Sequence, residues 1–175
     1  MKRASSVSKQ VLTALFIALC VVLPMAFHSI PNGGSVFCPM HIPVLLCGLV
    51  CGPIYGTFCG LVGPLLSSLL TSMPPMAMLP GMMVELMVYG LVTGLLAKKD
   101  PAKNTYPRIY VSLITAMLAG RVISGIVKAL IFLAGEYSIQ MWATASFVTA
   151  FPGIIIQLVF IPVIYRGLYR AKVLQ

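Results

Sequence analysis

Charged residues are scarce in this chain, and acidic residues are the scarcest of all. Only 9% of its 175 residues are charged, and only three of them are Asp or Glu. A soluble globular protein carries about a quarter charged residues. With 59% hydrophobic residues and a mean hydropathy of +1.01, the sequence has too little polar surface to cover a globule in water. It therefore predicts an all-α membrane protein, and we expect residues 1–175 to form a single integral membrane domain.

The sequence also lacks the motifs that accompany catalysis and nucleotide binding. It contains no glycine-rich phosphate loop of the type G-x-x-x-x-G-K-[ST], so we do not expect the chain to hydrolyse ATP itself. Its five cysteines form no C-x-x-C pair, and four of them lie inside apolar runs, where cysteine behaves as a small hydrophobic residue. We therefore predict no metal site, no cofactor and no enzymatic activity.

The net charge of +9 comes mainly from three groups of basic residues beside apolar segments. Ten of the twelve basic residues belong to them: Lys2, Arg3 and Lys9; Lys98, Lys99, Lys103 and Arg108; Arg166, Arg170 and Lys172. Basic residues that flank membrane spans in this way usually mark the cytoplasmic side. The distribution favours a protein with both termini in the cytoplasm, and it argues against binding of nucleic acid.

Apolar runs of about 20 residues can cross a bilayer as helices. We predict six spans, at residues 11–27, 40–52, 54–72, 79–97, 108–135 and 146–168. The region Met40–Met78 contains no charged residue and is barely long enough for two crossings. Because an even number of crossings must separate basic groups on one side, it contributes either two short spans joined near Gly52-Pro53 or a re-entrant segment in a four-helix protein. We favour six spans.

Small residues at intervals of four predict two faces where helices come close. Four glycines follow this spacing in the charge-free region: Gly48, Gly52, Gly56 and Gly60. Ala14 and Ala18 repeat the interval on the first span. Small residues spaced in this way let another helix backbone approach in lipid.

Away from the three basic groups, the ionisable residues that stand out in the spans are Glu85, Arg121 and Lys128, with His41 near an outer end. Such groups are costly in hydrocarbon and are candidates for a functional site. At 1.5 Å per residue, Glu85 and Lys128 both lie roughly 10 Å below the outer surface, where they could form a pair.

Two further side chains extend this group, since Tyr89 is one turn from Glu85 on the same face and Gln157 lies at a similar depth. One interpretation is a polar network that locks the helix packing. The other is a ligand cavity whose excess positive charge suits an anionic substrate. Trp142, near the outer boundary, is expected to be an interfacial anchor.

Three stretches and the alanine pair together resemble a known family. The stretches are MHIPVLLCGLVCGPIYG at 40–56, ELMVYGLVTGLL at 85–96 and FPGIIIQLVFIP at 151–162. With the six-span layout and the Ala14-x-x-x-Ala18 strip, nearly the whole chain resembles the substrate-binding S components of energy-coupling factor (ECF) transporters. These are small vitamin-uptake subunits of the prokaryotic cell membrane.

The resemblance implies a substrate cavity near the outer face, with Glu85, Tyr89, Lys128 and Gln157 close to it. It also implies docking of the first helix, through its alanine strip, onto a transmembrane coupling subunit that works with two cytoplasmic ATPases. The excess positive charge makes an anionic vitamin such as pantothenate our first expectation for the substrate. The alternative is a self-sufficient secondary transporter in which Glu85 carries a proton.

Overall fold

A computed structural model describes residues 6–27, 33–97, 104–132 and 138–171 of the chain. Within these ranges the protein consists of helices and short turns: α1 (Ser6–Ala26), α2 (Gly33–Phe37), α3 (His41–Cys51), α4 (Pro53–Thr71), α5 (Leu79–Leu96), α6 (Tyr106–Val127), α7 (Ile139–Ala143) and α8 (Phe151–Arg170). A π-helical segment follows α6 at Lys128–Phe132, and another follows α7 at Thr144–Thr149. Six residues of the basic groups lie outside the described residues: Lys2, Arg3, Lys98, Lys99, Lys103 and Lys172.

Six helical stretches of the described chain are long and apolar enough to cross a membrane, which confirms the predicted all-α architecture with six spans. They are Val7–Ala26, Gly33–Cys51, Pro53–Thr71, Leu79–Leu96, Tyr106–Leu130 and Phe151–Arg170. The second span begins at Gly33 rather than at residue 40, because α2 continues into α3 through a short break at Cys38. The last span begins at Phe151 rather than at residue 146, after the π-helical segment has ended.

The break between α3 and α4 lies at Gly52, which has a φ of +100° that favours glycine. Pro53 then occupies the first turn of α4, where its missing N–H costs nothing. The predicted junction of the two short spans at Gly52-Pro53 is therefore present in the structure.

The predicted glycine face is the seam between α5 and the pair formed by α3 and α4. A Cβ atom added to Gly56 would overlap the backbone of Gly90, and one added to Gly90 would overlap the backbone of Gly56. Gly60 faces the Leu86 carbonyl in the same way, and Gly94 faces Pro53. Helix α5 thus approaches its neighbours at backbone distance over several turns, as small residues allow in lipid.

The remaining helices surround this seam. Helix α1 packs against α3 and α4, α6 packs on another side of α5, and α8 contacts α3 and α6. All five cysteines are buried and free, as expected of packing residues. The ends of the bundle are defined by chain direction: α3, α5 and α8 begin, and α6 ends, at the end that carries the buried charges.

Candidate functional site

Three side chains converge on one carboxylate oxygen of Glu85, the only acidic residue in the described part of the chain. Its Oε1 accepts a 2.9 Å hydrogen bond from the Tyr89 hydroxyl. The same oxygen lies 3.7 Å from His41 Nε2 and 3.7 Å from Arg121 Nε. The structure therefore brings together four of the six predicted site residues, from helices α3, α5 and α6.

Local geometry explains why these side chains meet. Tyr89 follows Glu85 by one helical turn in α5, so both point to the same face. Its ring is completely buried and packs edge-on against the His41 ring, with 5.3 Å between the centroids. Gly120 of α6 provides the space for the Tyr89 ring, which a Cβ atom at that position would overlap. His41 is the first residue of α3 and directly follows the break at Cys38.

Lys128 does not form the ion pair with Glu85 that the sequence allowed. No ion pair within 4.0 Å joins the Lys128 ammonium to that carboxylate, which pairs with His41 and Arg121 instead. Lys128 is the first residue of the π-helical segment after α6, and its aliphatic chain lies across Gly81, one turn before Glu85. Lys128 thus lies near Glu85 and interacts with it electrostatically, but its ammonium group is beyond ion-pair distance of the carboxylate.

Gln157 reaches the start of α3 rather than Glu85 itself. It is completely buried in α8, and its Nε2 lies 3.5 Å from the Cys38 carbonyl oxygen. Gly153, one turn earlier, packs directly against the backbone of Val36 and Phe37. Helix α8 therefore holds the α2–α3 break against the charged residues.

Two aromatic residues of the site were missed by sequence reasoning. Trp142, expected to anchor at the membrane interface, donates a 3.0 Å hydrogen bond from Nε1 to the Arg121 carbonyl oxygen. Its indole ring occupies the space beside Gly125. Phe147 packs edge-on against Trp142, and its ring centroid lies 5.5 Å from Arg121 Cζ, within cation–π range. No local signal predicts the contacts with Arg121, because they join residues more than 20 positions apart.

The cluster is closed in this conformation. Arg121 is 3% exposed, His41 5% and Glu85 15%, while Lys128 is partly buried. A separate concavity of about 410 Å3 lies on the segment that contains Trp142 and Phe147. Its lining residues are Ser138, Gln140, Met141, Thr144, Ala145 and Thr149, none of which belongs to the cluster.

The predicted docking residues lie on a different surface. Ala14 and Ala18 are both exposed on α1, on the same face as Val7, Val11 and Leu15. This face does not contact the rest of the bundle. It is therefore available either to lipid or to another membrane protein.

The cluster and the adjacent Lys128 carry an excess of positive charge. Two cations, Arg121 and Lys128, face one carboxylate, and a buried charge without a counter-charge is unfavourable unless a ligand supplies one. Among the described residues, no three His, Cys, Asp or Glu side chains are grouped as metal ligands would be.

Comparison with known protein families gave a match over most of the chain. The family described as "ECF transporter, substrate-specific component" matches residues 8–165. Neither the curated protein sequences nor the solved structures gave a match.

Proposed function

The chain belongs to the family of ECF transporter substrate-specific components, and from this premise we propose that it binds a small anionic solute from outside the cell. Members of this family are transport binding proteins of the prokaryotic cell membrane, not enzymes. They bind a substrate and associate with an energising module. The proposal for this chain concerns the charge of the substrate, the residues that bind it and the surface that docks.

The observation that carries the proposal is the position of Lys128. Lys128 lies near enough to Glu85 to interact with it electrostatically, and the same carboxylate is also faced by Arg121 and His41. An anionic group on a substrate would neutralise the second cation, and charge-assisted hydrogen bonds of this kind are about twice as strong as neutral ones. The substrate-binding residues in this proposal are His41, Glu85, Tyr89, Arg121, Lys128 and Gln157.

Pantothenate is our first choice of substrate, because it is a vitamin with a single carboxylate. The test is a thermal-shift panel on the purified protein in detergent, with pantothenate and pantothenol as a matched pair. Pantothenol differs by having an alcohol in place of the carboxylate. Stabilisation by pantothenate but not by pantothenol supports the proposal, whereas equal stabilisation by both contradicts an anionic substrate.

The energy for uptake comes from partners in this proposal. A transmembrane coupling subunit, working with two cytoplasmic ATPases, would dock onto the exposed face of α1 that carries Ala14 and Ala18. Both termini of the chain would then lie in the cytoplasm. Uptake should require the ATPases, whereas binding of substrate should not. Uptake by the isolated subunit, driven by a pH gradient alone, would instead identify a self-sufficient secondary transporter.

A further inference from the structure

Two buried polar atoms of the cluster have no hydrogen-bond partner among the described residues. They are His41 Nδ1 and Gln157 Oε1. His41 is 5% exposed and Gln157 is completely buried, so bulk water does not solvate either side chain. Buried polar atoms are nearly always paired, and an unpaired one in a binding site points to a group that the ligand provides.

The orientation of the Gln157 amide is fixed by its one neighbour. The Cys38 carbonyl oxygen lies 3.5 Å from Nε2 and also accepts the backbone N–H of His41 at 3.1 Å. A carbonyl oxygen only accepts, so it must face the amide nitrogen and not the amide oxygen. Gln157 Oε1 is therefore left as an unused acceptor.

The His41 ring is oriented by Glu85 in a similar way. Nε2 faces the carboxylate oxygen at 3.7 Å, so the tautomer that directs N–H at this oxygen leaves Nδ1 without a proton. Nδ1 is then an acceptor as well. Both unpartnered atoms thus require a donor, and they lie on α3 and α8 on either side of the Cys38 carbonyl.

We infer that the substrate carries two or more N–H or O–H donors at the end that faces His41 and Gln157, in addition to the anionic group that faces Lys128. This inference rests on the proposed binding of an anion, and it adds the chemistry of the opposite end of the ligand. Carboxylates without donors would leave both acceptors unpaired and would therefore be rejected. A site built to hydrogen-bond a substrate discriminates strongly against analogues that lack the group.

The test is equilibrium binding to the purified full-length protein, with four carboxylates and one neutral compound. Pantothenate and biotin carry several donors, nicotinate and hexanoate carry none when ionised, and pantothenol carries donors without a carboxylate. We expect pantothenate or biotin to bind at least about tenfold more tightly than nicotinate and hexanoate. Gln157→Met should reduce this preference several-fold, whereas the same change at the exposed Gln140 should leave it unaltered.

The possible outcomes distinguish the anionic group of the substrate from its donor groups. Binding of nicotinate or hexanoate as tight as that of the donor-bearing carboxylates would overturn this inference and leave the anionic substrate standing. If pantothenol binds and none of the four carboxylates does, the proposal of an anionic substrate is overturned, and the proposal that the two acceptors bind donor groups is supported. Binding of no compound would overturn both. If Gln157→Met does not fold, the comparison of ligands on the unmodified protein still tests whether the substrate needs donor groups.

Discussion

The Tyr89 hydroxyl donates a 2.9 Å hydrogen bond to Oε1 of Glu85, one turn earlier in the same helix. The same oxygen faces Arg121 and His41, so the tyrosine belongs to the group of side chains that surrounds this carboxylate in the interior of the bundle. The energetic coupling within this group can be measured directly.

We predict that Glu85→Gln destabilises the protein by about 3–5 kcal/mol, because it leaves the buried Arg121 without a counter-charge. Tyr89→Phe should cost about 1.5–3 kcal/mol, the range for a hydrogen bond to a charged group. In detergent, the Glu85→Gln/Tyr89→Phe double mutant should lose less unfolding free energy than the two single mutants lose together, by about 0.5–3 kcal/mol. Additive losses would mean that the hydroxyl and the carboxylate do not stabilise each other.

Replacing Lys128 by Met separates binding from folding. Methionine retains an apolar chain across Gly81 but removes the ammonium group, so the melting temperature should change little. Affinity for pantothenate should fall at least about tenfold, since a charge-assisted hydrogen bond contributes about 1.5–3 kcal/mol. Lys9→Met on α1 is the control and should leave binding intact. Equal losses of stability and affinity at Lys128 would identify a structural residue.

The glycine seam predicts a large difference between two identical substitutions. Gly90→Ala inserts a methyl group into the backbone of Gly56 and should cost about 1–3 kcal/mol or more of unfolding free energy. Gly167→Ala on α8 places the methyl group where no atom lies within 4 Å. It should be neutral or stabilise the helix by up to about 1 kcal/mol. A similar effect at both sites would contradict the close approach of α4 and α5.

Cysteine labelling tests which end of the bundle faces outward. The five native cysteines are buried, so an added thiol is labelled against a low background. Ile54 is 79% exposed at the start of α4, and Met76 is 62% exposed between α4 and α5. We expect a membrane-impermeant reagent to label Met76→Cys in intact cells and Ile54→Cys only after permeabilisation. The reverse pattern would place both termini outside.

Bulky residues on the exposed face of α1 should block coupling but not binding. We predict that Ala14→Trp and Ala18→Trp each abolish most uptake by the complete transporter, because tryptophan prevents close approach of a partner helix. Substrate affinity of the isolated subunit should be unchanged. Thr115→Trp, on the exposed face of α6, is the control and should support uptake. Normal uptake by both alanine variants would exclude this face as the docking surface.

The sequence was sufficient for some features that depend on residues within one segment. Gly48, Gly56 and Gly60 do lie in the seam, but Gly52 breaks the helix and has no atom near its Cβ position, so the four glycines do not form one helix face. Gly52-Pro53 predicted the junction between two spans, because glycine and proline are helix breakers.

Features that depend on contacts between distant segments were not predictable. The sequence allowed a Glu85–Lys128 pair, but it could not show that Arg121 and His41 would be the residues within 4.0 Å of the carboxylate. The hydrogen bond from Trp142 to the Arg121 carbonyl depends on how the π-helical segments place α7 against α6. Neither contact leaves a periodic signal.

The near contact of Gly56 with Gly90 determines which half of the protein can change shape. Backbone atoms have no rotamers with which to absorb a displacement, so α4 and α5 must move together as one body. Contacts on the opposite side pass through the Trp142 and Phe147 rings and the long Arg121 side chain, which can be rearranged one bond rotation at a time. We therefore expect the packing of α4 on α5 to be preserved in any change of conformation, and the contacts of Trp142 and Phe147 to be the ones that rearrange.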